Sequence, residues 1–212
     1  MNERKKQYPH GDRGLLEMFK SKTFDRKEAS EILERISDIN QPILDADGYS
    51  STYLFEAETC NNVEAVRFLL ENGADPNYCN RDLLNSCALY DLHFLWEEMA
   101  DEAAQRLEIA KLFFTFGADP NLWVDGEILY DHVAWEVSYG DIPHDRDYLC
   151  DLLKLLVAYG GGGGNSNYPK PEFTETIDID RIDDYKIKLF TYDRYHFDAH
   201  MIDPDGKDIG EI

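Results

Sequence analysis

The chain has 212 residues, with 43 Asp and Glu against 21 Lys and Arg, giving a formal charge of −22. That length suits one domain, or one with a small appendage, and is enough to bury a sound core. The charge repels nucleic acid phosphates and anionic lipid and speeds encounter with a basic protein; no apolar run nears the roughly 18 residues that span a bilayer.

The imbalance is uneven. Residues 1–27 hold eight Lys and Arg against four Asp and Glu, so the remainder carries −26. Acidity of this size also keeps a chain soluble. Arg4, Lys5 and Lys6 precede no apolar stretch, so no secretory signal is expected, and the location expected is cytoplasmic. Cys60, Cys79, Cys87 and Cys150 show no Cys-x-x-Cys spacing and read as buried thiols, the alternative being a zinc site from Cys79 and Cys87 with a histidine.

Residues 1–10 read as a basic tail, followed by a helix from Leu15 to Lys20. Asp25 caps a second helix from Arg26 to Ser37, with Glu28 placed for a capping box. Ala29, Ile32, Leu33 and Ile36 recur at three- and four-residue steps, one buried stripe. Three helix pairs are predicted next. The first runs from Thr52 to Cys60 and, after an Asn61-Asn62 turn, from Val63 to Asn72. The second runs from Cys87 to Met99 and from Asp101 to Phe116, the third from Ile128 to Tyr139 and from Asp145 to Tyr159.

The second helices repeat one phrase. Glu64, Glu108 and Asp151 are followed three residues later by Arg67, Lys111 and Lys154, an ion pair expected on the outer face. An apolar block follows, then Gly73-Ala-Asp-Pro-Asn77, Gly117-Ala-Asp-Pro-Asn121, or the degenerate Gly160 to Asn165. The glycine closes each helix in a left-handed conformation. Successive glycines are 44 and 43 residues apart, the mark of a stacked repeat array.

These phrases resemble the ankyrin-repeat family. Val63-Glu-Ala-Val-Arg-Phe-Leu-Leu and Leu107-Glu-Ile-Ala-Lys-Leu-Phe-Phe, each with its Gly-Ala-Asp-Pro-Asn turn, are similar to that family's second helix and the turn after it. Asp47-Gly48 and Asp125-Gly126 look like the tips of its hairpins. Residues 45–165 carry the resemblance, and residues 24–44 form a looser capping repeat. The helix-opening Thr-Pro-Leu-His is missing, with only Thr52 kept and Asp131 in the histidine's place. The period is also some ten residues longer than the usual ~33, and near the HEAT value, which ranks second because of the two turns. The additional residues are placed at 94–106 and 138–148.

The fold class expected is mainly α, an ankyrin-like helical repeat solenoid with a small C-terminal antiparallel β extension. Three regions are expected: 1–44, tail and helical cap; 45–165, repeats; 166–212, the β extension packed on the last repeat. Residues 160–172 read as a flexible connector. Beyond them the period falls to two, with Ile177 and Ile179 alternating with acids, then Ile187 and Leu189, then Phe197, Ala199 and Met201, and a last strand from Lys207 to Ile212 after Asp203-Pro-Asp-Gly206.

No Gly-x-Gly-x-x-Gly, Walker loop or nucleophile elbow is present, so no enzyme activity and no cofactor are expected. His196, Asp198 and His200 share one side of a strand and could grip a metal, which would make a metal-dependent enzyme the third alternative, against the reading of a solvated polar face. Asp203, Asp205 and Asp208 are too few and misplaced for an EF-hand.

What the resemblance implies is a protein-binding scaffold, and acidic ankyrin-repeat chains of this size are similar to bacterial immunity proteins that neutralise toxins, often nucleases. Tyr78 and Trp123 are the expected anchors at finger tips, flanked by Arg81, Asp82 and Asp125; Glu97, Glu98, Asp101 and Glu102 would steer a basic protein. Trp96 and Trp135 are expected in the core. A homodimer through the C-terminal strands is the alternative association.

Overall fold

The computed structural model describes residues 8–21, 23–45, 47, 49–79, 87–94, 102–124, 126–139, 146–191 and 197–212. These form two compact units, Met1–Asp91 and Leu92–Ile212.

In the first unit, α1 (Arg13–Phe19) and α2 (Arg26–Leu33) are each opened by an aspartate, Asp12 and Asp25, whose carboxylate accepts amide bonds of the first turn. The helix expected to reach Ser37 stops at Leu33. There the amides of Arg35 and Ile36 turn to carbonyls three residues back, so the last turn tightens and ends. A short antiparallel hairpin, β1 (Ile43–Leu44) and β2 (Ser50–Ser51), leads into α3 (Tyr53–Thr59), capped by Thr52. Asn61 takes a positive φ of 51° to reverse the chain into α4 (Val63–Glu71), and Asn62 caps that helix while its amide group donates to the Phe19 and Ser21 carbonyls. α3 packs between α1 and α5 (Ala88–Asp91), burying Leu15, Phe19, Ala57, Val66 and Leu69. The helix expected from Cys87 to Met99 thus ends at Asp91 in a turn at Leu92–His93; residues 95–101, Trp96 among them, lie outside the described residues.

The second unit begins with α6 (Ala103–Thr115). Hairpin strands β3 (Trp123–Val124) and β4 (Glu127–Ile128) run straight into α7 (Leu129–Tyr139), and α8 (Arg146–Ala158) packs on both α6 and α7. α7 has 11 residues against 7 in α3, and α8 has 13 against 9 in α4. One more turn on each helix accounts for most of the lengthened period.

The chain closes its second helices identically three times. Ala74, Ala118 and Gly161 donate to Leu69, Phe113 and Leu156, while Gly73, Gly117 and Gly160 donate to Leu70, Phe114 and Val157. This doubly bonded reversal needs a left-handed residue, and the three glycines have φ of 90°, 89° and 97°. An asparagine then staples one turn to the next. Asn40 donates to the Gly73 carbonyl at 3.1 Å and accepts from the Asp75 amide at 2.8 Å; Asn121 does the same to Gly160 and Gly162 at 3.1 and 2.9 Å. Asp38-x-Asn40 therefore has the role of Asp119-x-Asn121, with the aspartate accepting from the asparagine amide in both.

The glycine run expected as a flexible connector is instead held in place. Gly161 and Gly162 are buried, Gly163 donates to the Tyr168 carbonyl, and Ser166 donates back to Gly163. Its physical reason is the close approach: a Cβ at Gly162 would stand 2.8 Å from the Pro169 carbonyl oxygen. Nor do residues 177–184 continue the two-residue alternation. Asp178 accepts from the Asp180 amide and starts a 3₁₀ helix, Ile179–Asp184, a local side-chain bond that outcompetes a strand.

A three-stranded antiparallel sheet follows, β5 (Lys186–Thr191), β6 (Phe197–Ile202) and β7 (Asp208–Glu211), in the order β5-β6-β7. Lys186 faces Ile202 and Thr191 faces Phe197, with a register shift at Met201/Ile202 before β7. Ala199, Met201 and Ile209 are buried; β5 packs on α8 and β6 on α7. Lys154, expected on an outer face, is buried there. Its ammonium pairs with Asp151 at 2.8 Å and donates to the Tyr185 carbonyl at 3.0 Å, because the C-terminal segment covers this side of α8. Lys111 reaches the same segment through Asp183, while Arg67 keeps the expected pair with Glu64 at 3.4 Å.

The reading of four buried thiols is also corrected. Cys79 and Cys87 form a disulfide, their Cα atoms 4.6 Å apart at a sequence separation of eight. Cys60 and Cys150 are free and only half-buried. Desolvation by burial, with acids nearby, raises both thiols, Cys150 to about 11.

Candidate functional site

In the second unit, hairpin β3–β4 and helix α7 enclose, with the segment after α8, a cavity of about 560 Å³. Its walls come from four short stretches of chain. Trp123 stands on β3, Glu127 and Ile128 on β4, His132 and Trp135 on α7, and Tyr168 on the connecting segment. The hairpin is built for this: Trp123 is paired with Ile128 and Val124 with Glu127, around a Gly126 at φ 97°. Alternation along β4 then buries Ile128 (1% exposed) and turns Glu127 outward.

On α7 the buried residues Tyr130, Val133, Ala134 and Val137 follow the helical period, and Trp135 falls off that stripe. It is 52% exposed, and Trp123 is 49% exposed. Trp135 is thus not the core residue expected. The repeated phrase marks the same place in the helix, but nothing in the described residues covers this face. Tyr139 stacks on it one turn later, rings 6.1 Å apart and 14° from parallel. Two half-exposed indoles facing one cavity are unusual enough to call for a reason, since a protein gains by burying such area.

Asp131 fixes the far wall. It is buried and accepts from the Ser166 hydroxyl and, at 2.7 Å, from the Asn167 amide. The carboxylate in the histidine's place thus pins residues 166–167 to α7. Tyr168 is thereby set edge-on to buried Tyr130, ring centres 6.3 Å apart.

His132 sits between two carboxylates, Nδ1 at 2.9 Å from Glu127 and Nε2 at 3.4 Å from Glu136. Hydrogen bonding to Glu136, that residue's charge and then Glu127 raise the imidazole above its ordinary value, against the opposing effect of burial. The ring of His93 lies against it, centres 4.3 Å apart. Glu127, Glu136 and Asp131 stand around His132, so acids predominate in the lining and its border. Chemically the site offers aromatic faces beside anionic oxygens. Among the described residues it shows no arrangement of nucleophile, base and oxyanion donors.

Of the residues singled out from sequence, Trp123 is in this site. Tyr78 is not: it is half-buried in the first unit, where its amide donates to the Asp75 carbonyl and it borders a small pocket with Ile39 and Leu54. Glu102 is exposed at the start of α6. Arg81, Asp82, Glu97, Glu98, Asp101 and Asp125 lie outside the described residues. So does His196. His200 bonds Asp208 at 2.9 Å across the sheet, Asp198 stands opposite Phe190, and among the described residues no three metal-ligating side chains come together. Asp203 accepts from the Asp205 and Lys207 amides, as turn residues do. Among the described residues no helix is long and apolar enough to cross a membrane.

Sequence reasoning missed Glu127, His132, Trp135 and Tyr168. The signal for Trp135 was present in the helical period of α7; that for Tyr168 was not, since only the Asp131 bonds bring it to the cavity.

Residues 51–81 match a family described as Ankyrin repeat. No curated protein matches the chain. The matched segment runs from β2 through α3 and α4 to beyond the Gly73 turn. The match supports an ankyrin repeat at this place in a mainly α chain with a small C-terminal antiparallel sheet. Ankyrin repeats are generally modules of protein–protein interaction rather than catalysis.

Proposed function

We propose that this chain is a non-catalytic scaffold that binds a basic protein and, by occupying it, acts as an antagonist of a toxin or nuclease. The observation that carries the reading is the ankyrin repeat at residues 51–81 in a chain of charge −22. The repeat turns supply rigid hairpins on which contacts can be mounted, and the acidic field draws in a cationic surface before any contact forms. An exposed indole on hairpin β3–β4 is the kind of anchor that dominates such interfaces.

The test is capture with the full-length chain from its native host, identification of the bound protein, and reconstitution from purified components. A stoichiometric complex with a basic protein whose activity falls in proportion to complex formed is the expected outcome. A partner that is acidic, or that stays fully active when saturated, contradicts the reading.

Self-association is the second reading, favoured by β5, a six-residue outer strand of the sheet. Against it stand exposed Lys186 and Lys188 on that strand, the kind of charge that deters edge pairing. Light scattering of the full chain and of a chain ending at residue 165 separates the two readings, since a monomer in both removes self-association.

A further inference from the structure

The geometry points to the cavity between hairpin β3–β4 and α7 as a receptor for an arginine side chain of the partner, held between indole faces and the Glu127 carboxylate. This deepens the reading above and rests on it, since a basic protein is what presents such a side chain.

Three observations carry the inference. First, Trp123 and Trp135 are 49% and 52% exposed, yet both face one cavity. Indole faces attract cations, and a guanidinium, planar and weakly hydrated, stacks on them more readily than an ammonium. Second, the ionisable groups at hand are mostly acids, Glu127 and Asp131 beside His132 in the lining. Glu127 lines the cavity, Glu136 is one turn away on α7, and both already hold His132 between them. His132 offsets one of these charges, so two carboxylates beside one imidazole still favour a cationic occupant. Third, the cavity is built rather than incidental. Gly126 turns the hairpin, Ile128 forms an apolar base, and buried Asp131 clamps the Tyr168 wall in place. A volume of about 560 Å³ exceeds one side chain, so an arginine would enter with part of its neighbouring backbone.

The experiment uses the full chain labelled with ¹⁵N-tryptophan and a tetrapeptide with blocked ends that carries two arginines. The control peptide carries citrulline, which has the same shape without the charge. The arginine peptide is expected to move the Trp123 and Trp135 indole resonances, assigned with Trp123→Phe and Trp135→Phe. The citrulline peptide should bind about tenfold more weakly or worse. Glu127→Gln should weaken the arginine peptide several-fold, and Trp123→Ala with Trp135→Ala about tenfold, read at a temperature where circular dichroism shows the variant folded. Equal binding of the two peptides overturns the inference, as does an arginine peptide that moves neither indole. If the captured protein binds while the arginine peptide does not, this inference fails and the scaffold reading stands. If the peptide binds and no protein partner is captured, the scaffold reading fails and the receptor stands.

Discussion

His132 links the candidate site to solution pH. Its imidazolium is favoured in the folded chain by Glu136 and Glu127, with His93 the other ionisable ring against it. A histidine raised in this way gives stability that is fully present below its unfolded value near 6.5 and is lost as pH rises through the higher folded value. Wild type should therefore melt at a lower temperature at pH 8 than at pH 6 by more than a His132→Gln variant does; equal slopes contradict the linkage. Asn121 offers a second test. Removing its amide strips two partly buried backbone groups of partners, at a cost of about 1–3 kcal/mol. Asn121→Ala should accelerate exchange of the Gly162 amide, and Asn40→Ala, whose bonds are exposed, should cost less. Residues of this kind divide by how local their cause is. The exposure of Trp123 was legible from its place just after the Gly-Ala-Asp-Pro-Asn turn, at a hairpin tip. Trp135 was misread because a repeated phrase reports position along a helix, while exposure depends on what another segment covers. Its place off the Tyr130–Val137 stripe was the better guide.

At the level of elements, the helices were legible to within a turn or so where apolar period and closing glycine agree, as in α4 and α8. The Asp38-x-Asn40 staple was not seen as the counterpart of Asp119-x-Asn121, because its helix lacks the Gly-Ala-Asp-Pro-Asn phrase and ends in a tightened turn instead. The glycine run misled for a different reason. Composition signals freedom, but these glycines are chosen for tight approach and left-handed φ. A pair of substitutions separates the two explanations. Gly164 has φ 60° with nothing within 4 Å of a new Cβ, so Gly164→Ala should cost only the left-handed strain, about 1 kcal/mol. Gly162→Ala adds contact with the Pro169 carbonyl and should lower the melting temperature well beyond that. Equal effects would mean the segment is indeed a loose connector. Residues 177–179 failed likewise, since alternation of isoleucine with acids cannot register that Asp178 will bond its own backbone.

For the whole molecule, the acidic balance and the repeated turns join, in the function proposed above, in a surface that would meet a cationic protein without transforming it. The charge acts at long range and is screened within about 8 Å at physiological salt, whereas stacking on Trp123 and Trp135 is a contact term that salt barely touches. The two contributions can therefore be read apart in one titration series. The most direct test is the affinity of the captured partner for the full chain at about 50 and about 200 mM salt. The account predicts at least a tenfold loss at the higher salt, taken mainly from the association rate. An affinity indifferent to salt would contradict it.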